Sequence, residues 1–338
     1  MRFRGGQTIR FTAMNYELAV IGNDEAAFEM LCLAAGSGRR TVAVLPVSRH
    51  SSWLVGQSLR RLVSNLLVDR TPERTRMFQK SGTPRLLQAL IAKSIVDEVS
   101  ERVEVLQAVG VDVVMGEASF AADRELQVSL EPKGDQKILT AANIVIGTGV
   151  RRTAMHRPLG MVPFHRPESL FLGQVLPPSV CIVGGGHFGA GLAALTSLFG
   201  VVTRHVARED KDSVMLELAT AAGVQIGHHP ADVGLPNIGT QLSELHAEVV
   251  DCRRTVGFTE SLNLTAINVE PDENGQLWCA SNFETWCSGV FGIGDVVGFS
   301  PDSALHASVQ AERVMNRIMS TARRPHLMDA FIRSSVSA

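Results

Sequence analysis

The stretch 16–46, YELAVIGNDEAAFEMLCLAAGSGRRTVAVLP, reads as an apolar strand, a tight turn at Gly22, an Ala/Leu-rich helix and a second strand. A strand that feeds a helix through a glycine turn opens a dinucleotide-binding βαβ unit. The glycines let the backbone close on a pyrophosphate at the helix N-terminus. A second stretch, 179–209, SVCIVGGGHFGAGLAALTSLFGVVTRHVARE, repeats the order of strand, turn, helix and Val-rich strand. Two such units predict an α/β chain with two Rossmann-like domains.

The second turn is the more complete. Gly184-Gly185-Gly186-His187-Phe188-Gly189 fits G-x-G-x-x-G, follows the strand VCIV and opens a helix. Gly184 permits the turn, Gly186 lets the backbone approach the pyrophosphate, and Gly189 lets helix and strand pack closely. These residues predict NAD(P) binding. The acid that would hold a ribose 2′-hydroxyl belongs near Ala207. Arg208 follows there and suits a 2′-phosphate, while the neighbouring Glu209 leaves NAD against NADP open.

The first turn departs from the pattern. Gly22 and Ala27 fit the outer positions, but Asp24 takes the middle one. Its Cβ enters the space of a pyrophosphate, and its carboxylate repels one. The second strand ends in Pro46 where an acid for the ribose is expected. Asp24 and Glu25 also suit a plain first helical turn, where acids complement the helix dipole, so a Rossmann half kept as scaffold stands as the alternative. Near the end of the chain, VFGIGDVVGF places Gly294-Asp295 at a strand's C-terminal edge, where ligands bind in open α/β sheets; a turn aspartate is the plainer reading.

Composition narrows the classes. A chain of 338 residues, 45% hydrophobic and 20% charged, is ordinary for about two globular domains. A net charge of −2 gives no electrostatic footprint for nucleic acid or an anionic membrane. Cys32, Cys181, Cys252, Cys279 and Cys287 form no C-x-x-C or C-x-x-x-x-C pair, so reduced thiols in a cytoplasmic protein are expected, with no metal site. The adjacent His228 and His229 lack a ligand cluster and read as a surface pair. The most apolar region, 180–203, is broken by glycines and His187, which fits strand, turn and helix better than a membrane span. Residues 1–13 are basic without an apolar core and read as a leader, with translation from Met14 an open alternative.

Periodicity places the remaining elements. Helices are expected over 56–69 and 83–109, and strands over 111–120, 125–132 and 143–149. The Pro-rich 156–178 reads as a connection, 213–227 as helix then strand, 228–239 as a loop, and 289–299 as a buried strand and turn. A helix over 303–319 would take Ser303 as its N-cap.

In this order the motifs resemble the pyridine nucleotide–disulfide oxidoreductase family, nearest its soluble transhydrogenase branch. YELAVIG is similar to that family's first strand, GEASF (116–120) to its stretch beside the FAD adenine, and IGTGVRR (146–152) to its crossing into the NAD domain. CIVGGGHFGAG resembles the NAD fingerprint, RRTVGFTESLNL (253–264) the branch's G-R-T-G-N-T-x-x-L, and FGIGDVVGF the segment whose aspartate holds the FAD ribityl chain. The resemblance implies a FAD-type domain at 14–153, an inserted NAD(P) domain at 154–256, a return segment at 257–325 and a tail at 326–338. It adds Ala118, Thr148, Gly149, Gly294 and Asp295 to Gly22 and Ala27 as FAD contacts, and implies hydride transfer between NAD(P)H, FAD and a second acceptor.

Departures from the family's pattern accompany the likeness. SSWLVGQSLR (51–60) replaces the redox cysteine pair, and Val55-Gly56-Gln57 stands where the family has P-S-K. No counterpart of the C-terminal interface domain follows the last helix, so the family's usual dimer is not expected. No catalytic acid or base stands out. The alternative function is a degenerate NAD(P)(H)-binding sensor or structural protein without flavin turnover.

Overall fold

The computed structural model describes residues 15–46, 51–69, 83–130, 135–153, 176–208, 213–229 and 248–322, with a few isolated positions between them. The leader, most of the 156–178 connection, most of the 228–239 loop and the tail lie outside the described residues.

Strand β1 (Tyr16–Ile21) leads through Gly22 into helix α1 (Glu25–Ala35) and strand β2 (Thr41–Leu45). Both strands are almost wholly buried, as continuous apolar runs in a parallel sheet must be. Helices α2 (Ser52–Val68) and α3 (Pro84–Ala108) follow, capped by the hydroxyls of Ser51 and Thr83. Then come β3 (Asp112–Ala122), β4 (Glu125–Leu130), β5 (Gln136–Ile146) and β6 (Val150–Arg152). The first sheet sets β1 between β2 and β5, all parallel, with β14 (Val290–Gly292) outside β5 and the start of β3 outside β2. The far halves of β3 and β5 leave this layer and sandwich β4 in an antiparallel meander.

The second sheet is wholly parallel, in the order β10-β9-β8-β11-β7. Its strands are β7 (Phe164–His165), β8 (Ser179–Val183), β9 (Val202–Arg208), β10 (Gln225–His229) and β11 (Glu248–Asp251). Helix α4 (Gly186–Leu198) crosses from β8 to β9, and α5 (Ser213–Ala221) from β9 to β10. The return passes through β12 (Thr255–Gly257), β13 (Leu277–Trp278) and β14, a 3-10 turn at Gly294–Val296, β15 (Val297–Phe299) and helix α6 (Ala307–Ala322). Two Rossmann-like layers in one α/β chain are thus present.

Two expectations change. His228 and His229 belong to β10, paired with Ala207 and Arg208, and not to a loop. The last helix starts at Ala307, so Ser303 is not its N-cap. Ser303 sits in a turn, with its N–H on the Ser300 carbonyl, and the Gln310 side chain donates to the carbonyls of Ser303 and Leu305 and ties that turn to the helix.

Each sheet has its own buried core. Leu59, Val63 and Leu87, from α2 and α3, are fully or almost fully buried in the second core, beside Ile182, Leu192 and Val250. Glycine at 191 permits this contact, and Gly56 lies alongside it. A Cβ on Gly191 would come within 2.8 Å of Leu59 Cβ, and one on Gly56 would meet the backbone of Phe188 at 3.5 Å.

Candidate functional site: two glycine turns and the cleft between them

Both turns stand where a parallel sheet changes direction. In the first sheet β1 lies between β2 and β5; in the second, β8 lies between β9 and β11. The crevice beyond the carboxyl ends of such strands is where ligands bind in open α/β sheets.

At the second turn, Gly184, Gly185 and Gly186 all have left-handed φ, +67°, +91° and +52°. A Cβ on Gly189 would lie 1.9 Å from the Gly184 carbonyl oxygen, so only glycine lets α4 start this close to β8. Gly185, at the helix N-cap position, offers no side chain to cap α4, and a helix start of this kind suits an anion. Arg208 ends β9 as expected; its side chain lies outside what the structure describes.

One residue escaped the sequence reading. Arg253 follows β11, and its stem lies on the turn: a Cβ on Gly184 would meet Arg253 Cγ at 2.4 Å. Its Nε and one terminal nitrogen donate to the two oxygens of Asp251, at 2.8 and 2.9 Å, and Asp251 is fully buried. The family-like RRTVGFT run pointed at this segment, but only the β8–β11 pairing puts it against Gly184.

At the first turn, Gly22 has φ +118° and its Cβ position lies 2.2 Å from the Gly147 oxygen, so the turn closes tightly on the end of β5. Ala27 takes the third-glycine role: a Cβ on Gly147 would come within 2.7 Å of Ala27 Cβ, and Ala27 is fully buried. Asp24 is the N-cap residue of α1, yet its side chain makes no capping bond. Its Oδ2 accepts instead from the Asp295 N–H at 3.3 Å. Burial first, and the Asp295 charge second, push its carboxyl up to about 7. Asp295, on the 3-10 turn, is also raised by desolvation, opposed by Arg152.

A narrow slot of about 20 Å³ runs past Pro46, Gly116, Ala118, Thr148 and Leu262; Gly116 and Ala118 belong to the stretch likened to the surroundings of the FAD adenine. On the other side of Asp24 lies a polar cleft of about 420 Å³, bordered by Trp53, Arg152, Gln276, Asp295, Ala307 and Gln310 among others. The structure therefore brings Gly22, Ala27, Gly149, Gly294 and Asp295 around Asp24, with Ala118 and Thr148 along the slot.

Buried polar atoms normally have partners, so exceptions call for an explanation. Among the described residues four side-chain atoms have none: Arg102 Nη1, Thr148 Oγ1, Arg152 Nε and His205 Nδ1. All four border the turns. Arg102 stacks on Phe28 and Trp53, 4.8 and 4.5 Å from their ring centres, and borders a small gap beside Gly22 and Asn23. Thr148 faces the slot. Arg152 donates to the carbonyls of Cys252 and Gly185, tying the second turn to the cleft. His205 lies under Gly184, its Nε2 3.2 Å from the Gly184 oxygen, and burial holds its pKa down.

Residues 16–311 match the family model described as pyridine nucleotide-disulphide oxidoreductase. The chain belongs to this family. The soluble pyridine nucleotide transhydrogenases of Pseudomonas fluorescens (strain SBW25) and Marinomonas sp. (strain MWYL1) are each 26% identical, over 86% and 85% of this chain and 68% of theirs. Among solved structures, the HOCl-induced flavoprotein disulfide reductase RclA from Escherichia coli, as its Cu(II) complex, superposes with a TM-score of 0.58 at 16% identity, covering 89% of this chain and 69% of its own. LpdA from Mycobacterium tuberculosis gives 0.56 at 16%, covering 90% and 72%. Membership implies an oxidoreductase with FAD and NAD(P) as its dinucleotides.

The residues present can be tested against both groups. The second turn fits: it has the glycine framework and an uncapped helix start. The first fits in its backbone, in the unpartnered Thr148 hydroxyl along the slot and in the uncapped start of α1. The Asp24 side chain opposes it, and the slot must widen to admit an adenine. No helix among the described residues is long and apolar enough to cross a membrane, and they hold no group of three candidate metal ligands.

Proposed function

We propose that this protein is a transhydrogenase-like oxidoreductase, in which hydride passes between NAD(P)H, a flavin and a second acceptor. One observation carries the reading: Arg152 bonds the Gly185 carbonyl of the second turn and borders the cleft beside Asp24 and Asp295 at the first. Flavin, when bound, supplies a ring that accepts and returns hydride.

The chain's own part is positioning. The amides at the start of α4 hold one pyrophosphate, with Gly184, Gly186 and Gly189 keeping side chains off it. Gly294 and Asp295 hold the polyol chain of the other dinucleotide. The N-terminus of α6, at Ala307 on the cleft wall, turns its positive end toward the cleft and favours anionic charge there. Arg208 at the end of β9 favours a 2′-phosphate and thus NADP(H). Catalysis is then mainly the alignment of two bound cofactors. This reading adopts the domain division of 14–153, 154–256 and 257–325, and a cytoplasmic protein.

A second reading, a non-catalytic NAD(P)(H)-binding protein, draws on Asp24 in the first cradle and on Pro46 beside the slot. The purified protein separates them. A flavin band in the visible, bleached by NADPH under anaerobic conditions, supports the oxidoreductase. Stabilisation by NADPH with no flavin bound after reconstitution at any pH supports the binder. NADPH itself should raise the melting temperature, by an amount equivalent to about 2.7 kcal/mol at a hundredfold excess over Kd. Gly186→Asp should abolish that response, and an unchanged response would place the nucleotide elsewhere.

A further inference from the structure

Three loops converge on one carboxyl group. The turn after β1 supplies Asp24, the turn after β5 supplies Gly149, and the turn after β14 supplies Gly294 and Asp295. Gly149 and Gly294 both have left-handed φ, +68° and +73°. Added Cβ atoms there would fall 2.9 Å from Asp24 Cγ and 2.7 Å from Asp24 Oδ2. The group thus sits at the N-terminus of α1, against bare backbone on two sides. That is the place a pyrophosphate takes in such a fold.

The surroundings decide which protonation state can share the place with a phosphate. Facing Asp24 are Glu25 from its own helix, Asp295 from the 3-10 turn and Arg102 from α3. Arg152 from β6 faces Asp295. Arg102 is already engaged by Glu98 and by two aromatic rings. An ionised Asp24 beside a pyrophosphate would put two anions together with Asp295 close by. A neutral carboxyl group has instead one O–H to donate, to an acceptor that takes strong bonds. The side chain borders the 420 Å³ cleft, so it has room to turn off Gly149 and Gly294.

We infer that the first site takes its dinucleotide together with one proton, and that Asp24, as a neutral carboxyl group, donates a hydrogen bond to the pyrophosphate. This rests on the reading of the first turn as a FAD cradle. In the free protein the Asp24 carboxyl titrates at about 7. Below that the proton is already present. Above it, each bound dinucleotide draws one proton from solvent, and affinity falls tenfold per pH unit by linkage.

The test titrates FAD into the full-length chain from pH 5.5 to 8.5, followed by quenching of flavin fluorescence. Calorimetry in two buffers of different ionisation enthalpy counts the protons. The expected result is a flat affinity below about pH 7, a tenfold loss per unit above it, and an uptake approaching one proton at pH 8. Asp24→Asn keeps a donor without the charge. It should bind at pH 8 as wild type does at pH 6, with a flat profile and no proton uptake from this position.

Wild-type affinity that does not change with pH overturns the inference and leaves the cradle standing. So does an Asn variant as weak as wild type at pH 8, provided its NADPH-induced rise in melting temperature is normal. Absence of FAD binding at every pH, in wild type, Asp24→Asn and Asp24→Gly alike, overturns the cradle reading as well.

Discussion

Asp24 weakens the folded chain whenever it is ionised. Its carboxyl rises from an ordinary 3.8 to about 7 on folding, chiefly through burial. A raised acid favours the folded state fully only below its unfolded pKa, and that contribution is lost as pH rises through the folded value. The loss therefore builds from about pH 4 and levels off above about pH 7, at roughly 4 kcal/mol as an upper figure for an uncoupled group. Asp24→Asn should accordingly melt well above wild type at pH 8 and alongside it at pH 4. Equal melting temperatures across that range would show that the carboxyl is not held as the fold suggests. The sequence made Asp24 conspicuous by placing an acid inside a glycine turn. It did not reveal Gly149 and Gly294 against it, because those contacts span more than a hundred residues of chain. Arg253 was hidden because its contact with Gly184 is made only when β11 pairs with β8. Truncating it tests its place over Gly184: Arg253→Ala should weaken NADH and NADPH alike, about five- to tenfold, the scale of one charge-assisted contact. Arg208→Ala should weaken NADPH alone. Loss confined to NADPH in the Arg253 variant would move Arg253 from the pyrophosphate to the 2′-phosphate.

Elements built from local periodicity were the legible part. Helices expected over 83–109 and 213 onward, and strands at 111–120 and 125–132, stand within a few residues of their expected bounds, because buried parallel strands and capped helices write their periods locally. The start of α6 was misread because a serine before an apolar run signals a cap, and here a tertiary bond wins. Gln310, 4% exposed, donates to the carbonyls of Ser303 and Leu305 and accepts from the Gly294 N–H at 2.9 Å. One side chain thus fixes the turn before α6 and the glycine beside Asp24. Gln310→Leu leaves three backbone groups without this partner, and should destabilise by about 2–3 kcal/mol, since an unsatisfied buried group costs about 1–3 kcal/mol. Urea unfolding measures it, and a change below about 0.5 kcal/mol would mean that water replaces the amide. The contact between α2 and α4 was equally invisible in sequence. There Gly191 leaves no room for a Cβ beside Leu59, and Gly56 meets the backbone of Phe188.

At the scale of the molecule, order along the chain and packing in space part company. The expected division falls at 153/154 and 256/257, and the strands of the second sheet lie within 164–251. Its core does not. Leu59 and Val63 from α2, and Leu87 from α3, are 0–1% exposed and pack with Leu192, Leu195 and Val250. Each such side chain contributes about 1.5–3 kcal/mol when fully buried, so the three together approach the whole stability of a small domain, about 5–15 kcal/mol. Residues 154–256 produced alone would expose Leu192, Leu195 and Phe188 along α4, with no α2 to cover them. They should show no cooperative thermal transition in calorimetry and no stabilisation by NADPH, although they contain the entire G-x-G-x-x-G turn. Joining residues 51–109 to them through a flexible linker should restore both, because the missing surface returns. A sharp transition for 154–256 alone, with NADPH raising it, would show that α2 and α3 rest on a finished core. In that case Arg152, which bonds Gly185 and Cys252 from outside this segment, would be the main tie between the two glycine turns.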